Sequence, residues 1–456
     1  KKGKAMSDQS VDVSPEPATS LQDWKETEIG SVFVSNYPPY SFWNEGAAKN
    51  VPKILDTPSP SNDIPLGLYL HIPFCRKRCK FCYFKVYTDK NASDIRGYLD
   101  ALATEIENYS QKPRFRDRSL HFVYFGGGTP SYISARHLIE FVDRIKQVMP
   151  WDSAEEVVFE CEPGTLTRAK IEAIREIGVT RVSLGVENMN DEILSTNGRA
   201  HVTKEIYEVM PIVKELGFDQ VNVDLISGMV GETWESWKET VRKTIDLDPD
   251  MVTIYQMELP HNTVYSRAIT SQDGSRPVIA DWDTKRAWHD YAIETFMESG
   301  YDSTSAYTLS KKGKSVDFVY RDALWHSADM LGTGVSAFSH VGGMHFQNHS
   351  HWDEYLDPAR RGELSINRAY KPSDEERMTR EMILQLKLGV INPSYFQNKF
   401  NVDILSKFKA AYARLEADGM LKVKDDEIRM TRKGLLRVDH LLPNFYDPVY
   451  QNSRYT

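Results

Sequence analysis

Three of the four cysteines lie in one short segment, "CRKRCKFCYF" at residues 75–84. They are Cys75, Cys79 and Cys82, in the spacing C-x3-C-x2-C. A structural zinc ion takes four protein ligands, so zinc would need a remote fourth residue. A redox C-x2-C pair would leave Cys75 without a role. A 4Fe–4S cluster fits the spacing better, because three thiolates leave one iron open to a small chelating molecule.

With the aromatic Phe81 before the last cysteine, this spacing is similar to the radical S-adenosylmethionine (SAM) signature. The similarity implies that the methionine end of SAM chelates the open iron. The reduced cluster would then cleave SAM, and the resulting 5′-deoxyadenosyl radical would take a hydrogen atom from a substrate. The five nearby basic residues are expected to lower the thiolate pKa and to attract an acidic electron donor such as flavodoxin. They are Arg76, Lys77, Arg78, Lys80 and Lys85.

The elements that position this loop follow a strand–helix rhythm. Short β-branched and aromatic runs predict buried strands, and helical patterns at 95–111, 134–149 and 203–216 separate several of them. The alternation predicts a parallel sheet with right-handed crossovers, as an open doubly wound sheet or an incomplete barrel. The predicted strands span 66–72, 120–128, 155–162, 181–187, 219–228 and 251–259.

Residues able to do chemistry fall at the carboxyl ends of these strands, where ligands bind in both architectures. The cysteines follow the first strand and "GGGTP" (126–130) ends the second. Glu160 and Glu187 end the third and fourth strands, and Asp224 lies in the fifth. Their shared location predicts one site.

Four segments are expected along the chain. Residues 1–20 are polar and predict a disordered tail. Residues 21–65 form a strap that reaches the active site, since 34–43, "VSNYPPYSFW", is too aromatic for a plain linker. Residues 66–355 form the barrel. Residues 356–456 predict an α-rich, winged-helix-like module with mixed charge.

Bulk composition narrows the class of protein. The net charge of −9 disfavours nucleic-acid binding. There is no run of about 18 apolar residues, so no membrane span is expected. Four cysteines in 456 residues point to a reducing compartment. Together these features predict a soluble cytoplasmic protein.

Longer motifs resemble the oxygen-independent coproporphyrinogen III oxidase family of radical SAM enzymes. They are "YLHIPFCRKRCKFC", "FGGGTPS", "ECEPGTLT", "RVSLGVENMNDEILSTNGRAH" and "VNVDLISG", and the resemblance covers about residues 66 to 350. It implies an α/β fold with a partial (β/α)6 barrel. It also implies that Tyr69 packs beside the cluster and that Phe81 belongs to the cofactor site.

The resemblance assigns the remaining cofactor contacts by position. Backbone at Gly126, Gly127, Gly128 and Thr129 would approach the methionine amine. Glu160 and Asp224 would accept from ribose hydroxyls, and Arg199 would bind the methionine carboxylate. Ile226 and Met257 would lie near the adenine.

Three departures from the family pattern bear on the reaction. Phe84 stands where the decarboxylase has a further cysteine, and "GMV" (228–230) replaces "GLP". Glu187 stands where a neutral amide is common; it could accept from a cation or serve as a base.

These departures favour carbon methylation or cyclopropanation, with a second SAM as methyl(ene) donor, of a natural-product or tetrapyrrole-like substrate. Two alternatives remain: oxidative decarboxylation of coproporphyrinogen III, and a haem chaperone. Tyr37, Tyr40, Trp43 and His345 are the candidate substrate contacts, and Tyr69 and Glu187 the candidate catalytic residues.

Overall fold

The computed structural model describes residues 25–271, 274 and 276–453. The tail predicted at 1–20 lies outside these residues. Twelve strands of the described chain form one sheet in the order β12-β11-β10-β9-β1-β2-β3-β4-β5-β6-β8-β7, and three form a second sheet in the order β13-β15-β14. The strands are β1 (Leu66–Ile72), β2 (Phe122–Gly127), β3 (Glu156–Cys161), β4 (Arg181–Glu187), β5 (Gln220–Ser227), β6 (Met251–Gln256), β7 (Tyr301–Ser303), β8 (Thr308–Lys311), β9 (Asp329–Thr333), β10 (Phe338–Val341), β11 (Met344–Asn348), β12 (Ile366–Tyr370), β13 (Val390–Ile391), β14 (Leu421–Lys424) and β15 (Glu427–Met430).

The helices alternate with the strands through the first six units. Most begin at a polar residue whose side chain accepts from a backbone N–H of the first turn, as Asn91 does for α3. The helices are α1 (Glu45–Ala48), α2 (Val51–Leu55), α3 (Ala92–Ser110), α4 (Ala135–Lys146), α5 (Arg168–Glu176), α6 (Asp191–Thr196), α7 (Thr203–Glu215), α8 (Trp234–Leu247), α9 (Val264–Thr270), α10 (Trp282–Glu298), α11 (Val319–Trp325), α12 (Trp352–Arg360), α13 (Asp374–Leu386), α14 (Pro393–Phe400), α15 (Ile404–Lys407), α16 (Lys409–Ala417), α17 (Arg432–Leu435) and α18 (Val438–Leu441).

Strands β1 to β6 are all parallel and follow one another in chain order. A doubly wound sheet would reverse its strand order at a switch point, and this sheet does not. The predicted partial (β/α)6 barrel is therefore confirmed. Its strands are almost continuously apolar because helices or other layers cover both faces, as β1 illustrates with six of seven residues buried.

The sheet continues beyond the six predicted units. β9 pairs parallel to β1, and antiparallel β10, β11 and β12 extend that edge. Antiparallel β8 and β7 extend the other edge beyond β6. The sheet thus runs to Tyr370, past the barrel boundary predicted at residue 355, because β12 pairs with β11.

The C-terminal module contains α13 to α18 and the small sheet β13–β15, around a core of its own. Helices α13 to α16 precede the hairpin β14–β15, and α17 and α18 follow it. Helices α15 and α16 are separated at Phe408. In the described part of the chain, every helix is too short or too polar to cross a bilayer.

The structure describes the predicted strap from residue 25 onward. Its segment 25–43, to which the word strap refers from here on, lies between the barrel and this module. Trp282 N donates to Lys25 O at 2.8 Å, and Gly30 N donates to Leu259 O at 2.8 Å. Val34 N donates to Asp439 Oδ1 at 2.9 Å, which ties the strap to α18. The strap therefore joins two parts of the chain that are far apart in sequence.

Candidate active site

A cavity of about 430 Å³ opens at the carboxyl ends of the parallel strands. Its inner wall is the cysteine loop with residues from the ends of β2 to β6. Its outer wall comes from the strap (Ser31, Val32 and Phe33) and from residues 435–440 of the module. The volume lies within the range of small-molecule sites.

The cysteine loop presents three free, partly buried thiols on this cavity. Thr129 Oγ1 donates to Cys75 Sγ at 3.3 Å, and Arg199 Nη1 donates to Cys79 Sγ at 3.3 Å. Backbone hydrogen bonds fix the loop, including Cys75 N to Tyr87 O at 3.1 Å. The loop therefore holds its sulfurs in place before any metal is considered.

The thiol pKa values correct one expectation from the sequence. Burial raises the pKa of Cys75 to about 11 and that of Cys82 to about 12. Arg78 lowers the pKa of Cys82, as predicted for the basic residues of the loop, and Arg199 lowers that of Cys75, but burial outweighs both. Cluster assembly must therefore displace protons from thiols that hold them strongly.

The donor set fits a 4Fe–4S cluster with SAM as the added ligand. Among the residues the structure describes, no three or more His, Cys, Asp or Glu side chains are arranged so that they could hold a single metal ion. A cubane instead binds each thiolate to a different iron. When bound, the cluster supplies the electron that cleaves SAM reductively. Cys75, Cys79 and Cys82 would hold it.

The carboxyl groups of Glu160, Glu187 and Asp224 line the cavity together with the cysteine loop. Tyr124 Oη donates to Glu160 Oε1 at 2.6 Å and Gly127 N to Oε2 at 3.3 Å. Asp224 accepts from Asn222 Nδ2 at 2.8 Å and Ser183 Oγ at 3.1 Å. These donors hold the carboxyls in orientations that leave them on the cavity, as ribose acceptors require.

Burial raises the pKa of Glu160 and of Glu187 to about 7 and raises that of Asp224. The cluster of like charges adds to the effect, since Asp224 raises the pKa of both glutamates. Glu187 also has a left-handed backbone, φ +66°, at the end of β4. Near neutral pH this side chain can exchange a proton, as a base or an acid requires.

Arg199 stands between the thiols and Glu187. Its Nη2 donates to Gly185 O at 2.5 Å. Its buried Nε has no hydrogen-bond partner among the described residues. A buried guanidinium with an unused donor fits a carboxylate ligand such as that of methionine.

The glycines of "GGGTP" are required by the protein's own packing. A Cβ on Gly128 would lie 2.9 Å from Ile72 O and 3.0 Å from Phe74 N. Gly127 has φ +110°, and a Cβ there would lie 2.5 Å from the His71 ring. Gly127, Gly128 and Thr129 line the cavity as predicted, whereas Gly126 does not. A close cofactor is therefore not needed to explain the missing side chains.

The predicted adenine contacts form an apolar patch. Met257 is buried in a small cluster with Met229, and Phe81 and Ile226 pack against it. Phe81, Ile226 and Met257 all line the cavity. The structure thus brings Ile226 and Met257, the adenine contacts that the resemblance implies, together with Phe81.

Tyr69 lies behind the cavity wall. It does not line the cavity; its ring packs on Tyr124 at 5.7 Å between centroids, and its hydroxyl is 3.4 Å from His71 Nδ1. Its assignment as a catalytic residue therefore remains a prediction without a contact on the cavity.

The four candidate substrate residues do not line the cavity either, which corrects that prediction. Tyr37 is buried in the module core against Tyr446. Trp43 stacks on His345 at 5.4 Å, and Tyr40 packs on Trp43 at 4.9 Å. Apolar packing retains these rings, so the aromatic part of the strap is an anchor.

The strap reaches the cavity a few residues earlier, and this part was missed. Phe33 contacts Tyr307 at 5.4 Å and Tyr255 at 6.3 Å. With Tyr83 and Phe84, whose rings stack at 4.5 Å, these residues line what we call the aromatic compartment: Phe33, Tyr83, Phe84, Tyr255 and Tyr307.

Glu258 was also missed by the sequence reasoning. It lines the cavity two residues after β6 and accepts from Ser31 Oγ at 2.8 Å and Val32 N at 3.1 Å. Its position at the carboxyl end of a strand, like that of Glu160 and Glu187, could have indicated a place in the site. Glu258 lies inside the strand predicted at 251–259, so the sequence pattern did not single it out.

Comparison with known proteins agrees with this geometry. The Radical SAM superfamily model matches residues 69–244, and the HemN C-terminal domain model matches residues 373–437. A heme chaperone HemW from Haemophilus influenzae is 31% identical over 280 residues, covering 60% of this chain and 70% of its own. The chain belongs to the oxygen-independent coproporphyrinogen III oxidase-like family of radical SAM enzymes.

Two further relatives of this radical SAM protein span more of its length. An oxygen-independent coproporphyrinogen III oxidase from Synechocystis is 25% identical over 409 residues, covering 85% of this chain and 86% of its own. The structure of coproporphyrinogen III oxidase from Escherichia coli has a TM-score of 0.78 at 22% identity, covering 91% and 96% of the two chains. The latter likeness supports the fold.

The ribose contact that the family resemblance assigns to Asp224 can be tested by mutation. In Asp224→Asn one carboxylate oxygen becomes an NH2 group, which faces the donors Asn222 Nδ2 or Ser183 Oγ and accepts nothing from a ribose. We expect SAM affinity to fall about tenfold, the effect of losing a charge-assisted hydrogen bond. Equilibrium dialysis on the reconstituted protein measures it. Unchanged affinity with unchanged iron content would contradict the ribose assignment.

Proposed function

We propose that this protein oxidatively decarboxylates a propionate side chain of coproporphyrinogen III. The observation that carries the proposal is the match to the curated Synechocystis oxidase along 85% of this chain and 86% of that one. The cavity supports it, because the site beside the three thiols is continuous with an aromatic compartment that can take large ring systems.

The proposed reaction has a simple balance. A hydrogen atom leaves the β-carbon of the propionate for the 5′-deoxyadenosyl group. The C–COO bond then breaks, CO2 leaves, and one electron passes to an electron acceptor, which leaves a vinyl group. The residues of this chain bind SAM at Glu160, Arg199 and Asp224 and keep water away with the strap and the module.

An electron donor is part of the proposal. The cysteine loop exposes Arg76 and Lys77, although Arg76 pairs with Glu162 at 2.9 Å. Exposed cations beside the cluster would favour an acidic donor such as flavodoxin through long-range attraction. Its association rate should then fall as ionic strength rises.

Anaerobic turnover with coproporphyrinogen III tests the reaction. We expect CO2, 5′-deoxyadenosine and a vinyl product, with no S-adenosylhomocysteine. A Cys79→Ala protein in the same assay controls for reactions of the reductant alone. Substrate-dependent SAM cleavage that is absent under every reducing condition would contradict the proposal.

Methyl(ene) transfer is a second candidate, favoured by two residues on the cavity. Phe84 offers no thiol where the decarboxylase has one, and this residue lines the cavity and is 46% exposed. Glu187, with its pKa raised to about 7 by burial, could act on a sulfonium or as a base. This chemistry would use a second SAM, and S-adenosylhomocysteine in the turnover assay would identify it.

The similarity to heme chaperone HemW makes haem trafficking a third candidate function. Stoichiometric haem binding, without substrate-dependent SAM cleavage, would favour haem trafficking.

A further inference from the structure

The aromatic compartment is open to the cavity. Tyr83, Phe84 and Tyr255 are 42%, 46% and 39% exposed, which is unusual for large rings in a well-packed protein. All three line the cavity, so their exposed faces are available to a ligand. Tyr255 and Tyr307 stack at 6.0 Å, which gives one wall a flat surface. Such walls suit unsaturated rings.

Glu258 supplies a polar group at the edge of this compartment. Its Oε2 accepts from Ser31 Oγ and Val32 N, and no partner of Oε1 occurs among the described residues. The partly enclosed cavity raises the pKa of Tyr83, and the charge of Glu258 raises it further, so the carboxyl lies near this ring. The second oxygen is left for a ligand.

No cation satisfies this carboxyl within the described chain, where it forms no ion pair at salt-bridge distance. The nearest candidate, Lys285, donates to Met257 O at 2.7 Å and Thr27 Oγ1 at 2.6 Å and lies 3.4 Å from the Trp282 ring centroid. Glu258 is half-buried and lines the cavity, so a ligand can reach its second carboxyl oxygen. An unmet acceptor in a ligand cavity points to a donor on the ligand.

We propose that Glu258 accepts a hydrogen bond from a pyrrole-type ring N–H of a substrate whose rings pack in the aromatic compartment. This inference rests on the proposed function, because coproporphyrinogen III has four pyrrole rings joined by saturated bridges, and their N–H groups can turn outward. A carboxyl oxygen accepts in either protonation state. Glu258 is therefore a specificity-determining residue outside the SAM site.

Paired ligands test the inference on the cluster-loaded protein, without SAM and under anaerobic conditions. Coproporphyrinogen III has flexible outward N–H donors; coproporphyrin III has the same four propionates, but its planar conjugated ring turns the N–H groups inward. We expect the wild type to bind the porphyrinogen more tightly. In Glu258→Leu that preference should shrink about tenfold, while Glu258→Gln keeps an acceptor oxygen and retains part of it.

The inference is overturned if Glu258→Leu keeps the full preference with normal iron content and SAM affinity, or if neither tetrapyrrole binds the wild type. Turnover is measured separately. A Glu258-dependent preference without decarboxylation would contradict the proposed function and leave the binding role intact. Decarboxylation without a Glu258-dependent preference would support the proposed function and contradict the binding role of Glu258.

Discussion

Replacing Cys79 with alanine is expected to remove both the iron and the turnover. A 4Fe–4S cube needs its protein thiolates on separate irons, and this loop supplies three with no fourth cysteine nearby in sequence. The Cys79 sulfur is also the one that Arg199 contacts, at 3.3 Å. Loss of this thiol leaves two ligands, so iron should fall from about four per chain to near zero.

Iron and sulfide analysis after anaerobic reconstitution measures this, with 5′-deoxyadenosine production as the second readout. Cys161→Ala is the matched control: Cys161 borders the same cavity, but it is buried in β3 and its thiol lies 3.8 Å from Phe159 O, within the main core. It should keep its iron. The cluster assignment fails if Cys79→Ala holds as much iron as Cys161→Ala while the metal-free proteins are equally stable.

Lys387→Met should destabilise the protein by about 3–5 kcal/mol, the effect of breaking a buried ion pair on one side. Lys387 is fully buried, pairs with Asp439 at 2.8 Å and donates to Val34 O. Asp439 also accepts from Val34 N and from Tyr307 Oη. The pair joins the strap, the barrel edge and the module, so its loss should also free the strap.

Chemical denaturation measures the stability, and limited proteolysis reports cleavage within 25–43. Lys311→Met is the control, since Lys311 pairs with Asp248 at 2.6 Å on an exposed surface and should cost less than 1 kcal/mol. Adding Asp439→Asn to Lys387→Met should regain part of the loss by removing the unpaired charge. If Lys387→Met is as stable as Lys311→Met, the ion pair between Lys387 and Asp439 does not secure the strap.

The sequence was most informative where chemistry and local pattern coincide. The six strands of the barrel follow from β-branched and aromatic runs, because strands buried on both faces must be apolar. Glu160 and Asp224 were conspicuous as carboxylates in such runs. Cys75, Cys79 and Cys82 were conspicuous by spacing. Each of these patterns can be recognised within a short stretch of consecutive residues.

Features built from distant segments were not predictable in this way. The aromatic residues of the strap suggested a substrate surface, yet Tyr37 and Trp43 pack inside the protein and Phe33 lines the cavity instead. Composition cannot separate these outcomes, since both remove rings from water. Asp439 lacked any local signal, because its partners come from residues 34, 307 and 387.

The two-sided wall of the cavity has a consequence for how the enzyme is made. The cysteine loop follows β1 early in the chain, whereas residues 435–440, which complete the outer wall, are synthesised much later. The strap cannot be fastened to Asp439 before then. We therefore expect the cysteine loop to remain accessible to iron–sulfur delivery until α17 and α18 are synthesised, because residues 435–440 then complete the wall.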